Sequence, residues 1–146
     1  MTVELVDEDA PDCRDFVVSW MSEAMRSALR RTTDDVFPFA LVQLITATED
    51  AESGTVDNVI QIDYLDVARD GMEAAEAANA TATRGHRRMK VLARNPLEDV
   101  VLSDGSTANL DYLRPTLGPI EQPYINDRVV RLVARYEMGF SNVAVT

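Results

Sequence analysis

The sequence has 146 residues, 46% of them hydrophobic and 27% charged, which is typical of a globular domain able to bury roughly 68–70% of its unfolded surface. No apolar run approaches the roughly 18 residues that a membrane-spanning helix needs, so we expect no membrane partner. Cys13 is the single cysteine, which excludes an internal disulfide and a cysteine-based zinc cluster, and we assign it no role. The acidic N-terminus lacks the basic and apolar regions of an export signal, so we expect synthesis in the cytoplasm.

Charge is divided unevenly along the chain. The net charge is −11, made up of −13 in residues 1–83 (5 basic, 18 acidic) and +2 in residues 84–146 (9 basic, 7 acidic). A net negative protein repels nucleic acid unless its basic residues are segregated, because duplex affinity comes largely from phosphate neutralisation. An acidic part and a mildly basic part can instead complement a second copy of the chain in a head-to-tail contact of the kind that closes rings.

The chain begins with a predicted arm and a predicted helix. Residues 1–11 are acidic and lack periodicity, which indicates a loose arm ahead of a single domain over residues 12–146. Asp12 or Asp15 can cap a helix whose apolar residues recur at steps of three and four. This stripe consists of Val17, Trp20, Met21, Ala24, Met25, Ala28 and Leu29.

A β-hairpin is predicted next. Residues 39–49 are rich in β-branched and aliphatic residues, residues 50–55 are typical of a turn, and residues 56–68 alternate apolar and polar positions. The tip of this hairpin contains four acidic side chains and no basic one. They are Glu49, Asp50, Glu52 and Asp57.

A second helix and a proline-rich segment follow. Asp70 can cap the helix, Pro96 ends it, and Gly85 is the place where we expect an irregularity. Its inner stripe is predicted to be Met72, Ala75, Asn79, Ala82, His86, Met89 and Ala93. Residues 96–123 contain four of the six prolines; apart from a short strand and turn near residues 100–106, they indicate an extended arm over a neighbouring subunit or a surface loop of the same subunit.

The last predicted element is a long strand over residues 124–140 with a two-residue period. One face is apolar, with Val130, Leu132, Ala134, Tyr136, Met138 and Phe140, and the other carries Val129, Arg131, Val133, Arg135 and Glu137. Two helices interspersed with antiparallel strands predict an α+β fold, a single domain with a mostly antiparallel sheet and the helices packed on one face.

Little in the sequence indicates catalysis. His86 is the one histidine, and Lys90 and the arginines around it predict a lowered pKa rather than a general base beside a carboxylate. The sequence has no P-loop, no dinucleotide fingerprint and no HExxH motif. We therefore predict a protein that is not an enzyme and has no catalytic residue, cofactor or metal site.

Two groups of charged residues are candidates for contacts between subunits. Arg84, Arg87, Arg88 and Arg94 share a stripe of the second predicted helix, and without interleaved aromatic residues they indicate nucleic-acid binding only weakly. This stripe either contacts the acidic hairpin of a neighbour or is solvated. Arg131, Arg135 and Glu137 on the last strand either meet a neighbouring subunit or face solvent.

The order of elements, and the segment GPIEQPYINDRVVRLVARYEMGF in particular, resembles the tail terminator proteins of long-tailed bacteriophages, also called tail-completion or minor tail proteins. In that family an N-terminal helix precedes a β-hairpin, a helix on the sheet and a long last strand that often carries an R-x-V-A-x-Y-E-like run. The corresponding residues are Arg131, Val133, Ala134, Tyr136 and Glu137, and the resemblance covers roughly residues 12–140.

The resemblance implies a structural virion protein of the tail and neck, assembled in the host cytoplasm. It would form a ring, expected to be a hexamer, on the head-proximal end of the tail tube, end tube polymerisation and contact the head connector proteins. DNA would pass through the lumen without specific binding, and Glu49, Asp50, Glu52 and Asp57 are candidates for lining it, because negative charge lets DNA slide. The resemblance implies no cofactor and no covalent chemistry.

Three other classes of protein remain open from the sequence. A head-completion or connector protein would also form a ring at the phage neck. A small ligand-binding or regulatory α+β domain would instead bind a metabolite. An unrecognised hydrolase would need a pocket that one sequence cannot reveal.

Overall fold

The computed structural model describes residues 3, 8–32 and 36–144, within which the chain forms two helices and nine strands. The helices are α1 (Cys13–Met21) and α2 (Ala74–Arg94), and the strands are β1 (Glu8–Asp9), β2 (Arg26–Ala28), β3 (Phe39–Asp50), β4 (Thr55–Val67), β5 (Val100–Val101), β6 (Thr107–Ala108), β7 (Tyr112–Gln122), β8 (Val129–Ser141) and β9 (Val143–Ala144). Five strands form one sheet in the order β2-β3-β4-β8-β7, antiparallel except for the β2–β3 pair. The predicted single α+β domain is confirmed.

Both helices cover the same face of the sheet, called here the inner face. The core between them and the sheet takes alternate residues of β4 and β8, as the two-residue period predicts, with Ile60, Tyr64 and Tyr136 fully buried. The ring of Phe16 on α1 meets the edge of Phe140 on β8 at a centroid distance of 5.3 Å. Because burying one such side chain stabilises the fold by about 1.5–3 kcal/mol, this inner layer supplies most of the apolar stabilisation.

The predicted hairpin is confirmed, and the predicted last strand is present but begins at Val129 rather than at residue 124. Strands β3 and β4 pair antiparallel, and β8 pairs with β4 over the full length of both strands. The apolar row predicted for the last strand faces the helices, and its charged row lies on the opposite, outer face of the sheet. Alternation was a reliable guide for β4 and β8 because their inner-face residues are the ones that pack against the helices.

The first helix is shorter than predicted. Helix α1 starts where predicted, with the Asp12 carboxylate accepting a hydrogen bond from the Arg14 backbone N–H at 2.9 Å, but it ends at Met21. The chain then turns and forms β2, which runs parallel to β3. Met25 is buried in that turn, so the apolar periodicity continued beyond the helix although the helix did not. Pairing with β3 therefore outweighed the local helical pattern, as tertiary context commonly does.

The second helix is continuous and rotated relative to the prediction. Asp70 has a φ of 53° and does not cap α2; the N-cap residue is Glu73. The helix shows no interruption at Gly85, which is buried against the ring of Tyr64. The residues buried by α2 are Ala77, Ala78, Thr81, Ala82, Gly85, Met89 and Leu92. Of the predicted stripe only Ala82 and Met89 are among them, because a helix rich in alanine has little hydrophobic contrast to set its orientation.

A buried carboxylate ties β4 to the first half of α2. Asp66 is fully buried and accepts hydrogen bonds from Arg69 Nε at 3.0 Å and from the Thr81 hydroxyl at 2.7 Å. Burial alone would raise the pKa of Asp66, but these bonds and one from the Val67 backbone N–H together lower it. Asp66 is therefore charged at neutral pH and holds α2 against the end of β4.

The proline-rich segment belongs to the main sheet. Residues 96–123 contain the small hairpin β5–β6, as the predicted short strand and turn indicated, and then β7, which pairs antiparallel with β8. The extended segment is thus neither an arm over a neighbour nor a loop. Pro115 and Pro119 are accommodated because β7 is an edge strand, and its pairing with β8 is irregular around them.

The two ends of the chain meet in a separate two-stranded pair. Glu8 and Asp9 of β1 pair antiparallel with Ala144 and Val143 of β9, so this part of the predicted arm is ordered by pairing. Of residues 1–7 of that arm, Val3 alone lies within the described residues. Among the described helices none is both long and apolar enough to cross a bilayer.

The outer face carries a small second core at one end of the sheet. Phe39, Leu65 and Val129 are buried there, and Phe37 and Tyr124 pack against them. The Arg31 guanidinium lies 4.7 Å from the ring centre of Phe37 and donates a hydrogen bond to the Tyr124 hydroxyl at 2.9 Å. Beyond this patch the outer face is mixed, with Asp63 and Val133 buried and Asp57 and Arg135 exposed.

Candidate functional site

The acidic hairpin tip is formed as predicted, but its four carboxylates differ in their surroundings. The Asp50 carboxylate accepts hydrogen bonds from the backbone N–H groups of Ser53 and Glu52, at 3.3 and 3.0 Å, which lower its pKa and organise the turn. Asp57 lies on the outer face and accepts a hydrogen bond from the Tyr112 hydroxyl at 2.7 Å. Glu49 and Glu52 are exposed, and their carboxylates have no partner in the described part of the chain. Two of the four carboxylates therefore remain available to another molecule.

Polar contacts across strands occupy the outer-face residues of β8. Glu137 accepts a hydrogen bond from Arg114 at 2.7 Å, which is the main cause of its lowered pKa. It also lies 2.9 Å from the Tyr112 hydroxyl, whose single proton it shares with Asp57. The ring of Tyr112 fits there because Gly139 lies opposite it, where any Cβ would overlap the ring. Arg135 Nε donates to the Gln61 side-chain oxygen at 3.0 Å. These contacts lie within one chain, so a neighbour is not needed to explain them.

Arg131 is tied to a buried carboxylate of the neighbouring strand. Its guanidinium lies 3.5 Å from Asp63, whose side chain is only 2% exposed. Burial raises the pKa of Asp63, and the hydrogen bond from Gln61 and the charge of Arg131 oppose this rise. Arg131 therefore compensates a carboxylate that the sheet has taken out of water, and it contributes to the fold whatever else it does.

Arg88 is committed to the contact between the two helices. Its guanidinium carbon lies 3.4 Å from the centre of the Trp20 ring, its Nε donates to the Trp20 carbonyl at 3.0 Å, and it pairs with Glu23 at 2.9 Å. Trp20 in return donates its indole N–H to the Arg88 carbonyl at 3.0 Å. Of the four arginines predicted to form an intersubunit surface, this one is held within its own chain.

The remaining basic side chains of α2 form an exposed group without carboxylate partners in the described part of the chain. They are Arg84, Arg87, Lys90 and Arg94, called here the cationic face of α2. Four positive charges within eleven residues of one helix repel each other, because neighbours three and four apart lie on the same side. In a chain with a net charge of −11, such a group favours binding of an anion or of an acidic surface.

A hydrogen-bonded chain of three side chains lies beneath this face. The Tyr64 and Tyr136 hydroxyls, both fully buried, are 2.9 Å apart, and the Tyr136 hydroxyl lies 2.8 Å from Nδ1 of His86. Burial and the charge of Lys90 lower the pKa of His86, as predicted in direction, so the ring is neutral at pH 7. Sequence reasoning missed this chain, although inward-facing tyrosines on adjacent strands signal it, because a buried hydroxyl needs a partner.

A cavity of about 280 Å³ opens between α2 and the adjoining strands beside His86. It is lined by Asn79, Ala82, Thr83, His86, Arg87, Lys90, Pro119 and Leu132. In the described part of the chain, no group of three or more His, Cys, Asp or Glu side chains is placed to hold a metal ion. The polar groups around this cavity are donors and cations rather than metal ligands.

A scan against protein-family models and a search of curated proteins found no match to this sequence.

Proposed function

We propose that this chain is a structural virion protein of a long-tailed bacteriophage that closes the head-proximal end of the tail tube as a ring and joins the tail to the head connector. The proposal rests on the resemblance of the chain to tail terminator proteins and on the charged surfaces of the subunit. One observation carries it: the cationic face of α2 and the carboxylates of Glu49 and Glu52 are surfaces of opposite sign that have no ionic partner among the residues the structure describes.

Such a pair of surfaces suits a head-to-tail contact. If the hairpin tip of one copy meets the cationic face of the next, each subunit uses two different surfaces, and a rotation that closes gives a ring. An exposed ion pair contributes only about 0.2–1 kcal/mol, so several pairs are needed in each contact. The cationic face and the hairpin tip offer more than one pair, which matches a ring that forms on a tube end rather than a subunit contact that is stable alone.

Exchanging charges tests the contact directly. In one variant Arg84 and Arg94 are changed to Glu, and in a second variant Glu49 and Glu52 are changed to Arg. The first variant leaves the cationic face without net charge, because Arg87 and Lys90 remain, and the second places arginines against four cations. Neither variant alone is therefore expected to form rings on tail tubes. A mixture of the two restores opposite charges when the variants alternate, and alternation closes only in rings with an even number of subunits, as in the expected hexamer.

The measurement is negative-stain microscopy of tail tubes incubated with each variant, with the mixture and with the wild-type protein. The control is Arg30→Glu with Arg128→Glu, which makes the same change of charge as the Arg84 and Arg94 variant at exposed positions outside both surfaces. Rings and arrested tubes for wild type, control and mixture, but not for either variant alone, are the expected result. If wild-type protein neither caps tubes nor stops their growth, the terminator function is wrong.

The same experiment distinguishes two positions for the hairpin tip. If the tip lines the lumen instead of contacting α2, the Glu49 and Glu52 variant still forms rings by itself. Its positive lumen then retains DNA, because DNA slides through a channel only when the wall does not attract phosphate. Ring formation by that variant would therefore refute the hairpin contact and favour the lumen position.

A further inference from the structure

The cavity beside His86 has the chemistry of an anion site. Arg87 and Lys90 contribute two positive charges to its wall, and Thr83 and Asn79 contribute a hydroxyl and a side-chain amide. Neither cation has a carboxylate partner in the part of the chain that the structure describes. Pro119 and Leu132 form an apolar wall on the sheet side, so part of the cavity is shielded from water.

The buried tyrosines determine which nitrogen of His86 carries its proton. Tyr136 is the one hydrogen-bond partner of the Tyr64 hydroxyl among the described residues, so a buried Tyr64 proton is satisfied only if Tyr64 donates to Tyr136. Tyr136 then has its own proton to donate, and the acceptor is Nδ1 of His86 at 2.8 Å. The neutral ring therefore carries its proton on Nε2, which no described group engages, and His86 offers an N–H donor beside two cations.

From this geometry we propose that the cavity binds a phosphate group, held by Arg87, Lys90 and the Nε2–H of His86. A phosphate dianion matches the two positive charges, and its oxygens accept from an imidazole N–H and a threonine hydroxyl. The volume of about 280 Å³ accommodates a free phosphate or the phosphate of a small monoester. This inference does not depend on the proposed ring, since all the groups belong to one subunit.

His86 is also the reporter for the test, because it is the only histidine and its imidazole signals need no assignment. Inorganic phosphate is titrated into dilute full-length protein while chloride is reduced to keep the ionic strength constant, and the ring is followed by NMR at several pH values. Bound phosphate is expected to give a saturable shift and to raise the pKa of His86, because a nearby negative charge favours the protonated form. Glycerol phosphate, titrated in parallel, binds more tightly if the natural ligand is a monoester.

Two substitutions and one matched control separate a site from a diffuse positive field. Lys90→Gln and Arg87→Gln each remove a charged donor and are expected to weaken phosphate binding about tenfold. Arg94→Gln removes the same charge one helical turn further along and is expected to leave the affinity within twofold, because Arg94 does not line this cavity. All three positions are exposed, so the fold should be retained, which the dispersion of the NMR spectrum checks.

Three results would overturn the inference. In the first, phosphate produces no saturable shift beyond the chloride control. In the second, Arg94→Gln weakens binding as much as Lys90→Gln, which would indicate general attraction to a positive helix. In the third, the pKa of His86 rises with protein concentration but not with phosphate, which would mean that a carboxylate of a second copy occupies the cavity.

Discussion

The close contact between Gly85 and Tyr64 predicts how Gly85→Ala changes the free energy of unfolding. Packing against the ring predicts a loss of stability, whereas helix propensity alone predicts a gain. Gly85 lies in the middle of α2, where replacing glycine by alanine in an exposed helix gains about 1 kcal/mol. At Gly85 an added Cβ would lie 2.8 Å from Cζ of the Tyr64 ring, and nearer still to Cε1. The ring cannot move aside easily, because it is fully buried and its hydroxyl is bonded to Tyr136.

Gly85→Ala should therefore destabilise the protein. Overpacking a buried contact costs about 1–3 kcal/mol, and the atoms met here belong to a rigid ring, which places the cost at the upper end. After about 1 kcal/mol of helix propensity is recovered, we expect a net loss of about 1–2 kcal/mol in the free energy of unfolding. For a chain of this length that loss lowers the melting temperature by roughly 2–8 °C.

Urea denaturation followed by circular dichroism measures the change, and Ala80→Gly is the control. Ala80 is exposed on the same helix, so its replacement by glycine should cost about 1 kcal/mol through propensity alone. If Gly85→Ala instead stabilises the protein by a similar amount, the close packing of α2 on Tyr64 is wrong, and the position of His86 derived from it is wrong as well.

Three further predictions concern stability and reactivity. Asp66→Asn should lower the free energy of unfolding by about 2–3 kcal/mol at pH 7. Because folding lowers the pKa of Asp66, the wild-type protein loses this stabilisation below about pH 4. A difference in urea midpoint between wild type and variant that stays constant down to pH 3 would refute the role of the charge. Burial raises the pKa of Cys13 to about 11, so iodoacetamide at pH 8 should react roughly a hundredfold more slowly with native than with urea-unfolded protein, and equal rates would contradict its burial. Arg88→Lys should lower the free energy of unfolding by about 1–2 kcal/mol, because lysine cannot both stack on the Trp20 ring and donate from a planar guanidinium. Arg87→Lys is the control and should leave thermal unfolding nearly unchanged. Equal losses of stability in the two variants would exclude a special role for the stacking on Trp20.

The parts of the fold that the sequence predicted are those where one side of an element is buried and the other is open. The hairpin β3–β4 was predicted close to its observed bounds, and β8 was predicted with the correct inner row although it begins at Val129 rather than at residue 124. Apolar and polar residues alternate along β4 and β8, which is what made them recognisable. Helix α2 was predicted as an element but with the wrong face inward, because alanine occurs on nearly every side of it. Strand β2 was read as helix, since three residues are too few for periodicity to distinguish the two.

The candidate surfaces were predictable as charges but not as contacts. The sequence shows that Arg84, Arg88 and Arg94 share a helix, yet only the position of Trp20 reveals that Arg88 is held within the chain. The lowered pKa of His86 followed from its basic neighbours, but burial, its larger cause, depends on the sheet beneath the helix. Contacts between residues far apart in the chain are set by tertiary packing, which sequence periodicity does not contain.

The two edges of the five-stranded sheet differ in how readily they can pair with a further β-strand. Strand β2 pairs with β3 only as far as Leu41. From Val42 to Asp50 no described strand pairs with that edge, so its backbone donors and acceptors can accept a further strand, interrupted by the bulge near Leu44. The opposite edge, β7, has two fewer backbone N–H donors, because Pro115 and Pro119 have no N–H group. Misassembly of concentrated protein should therefore start at β3 and extend in one direction, and a proline placed there would be the simplest way to keep preparations soluble.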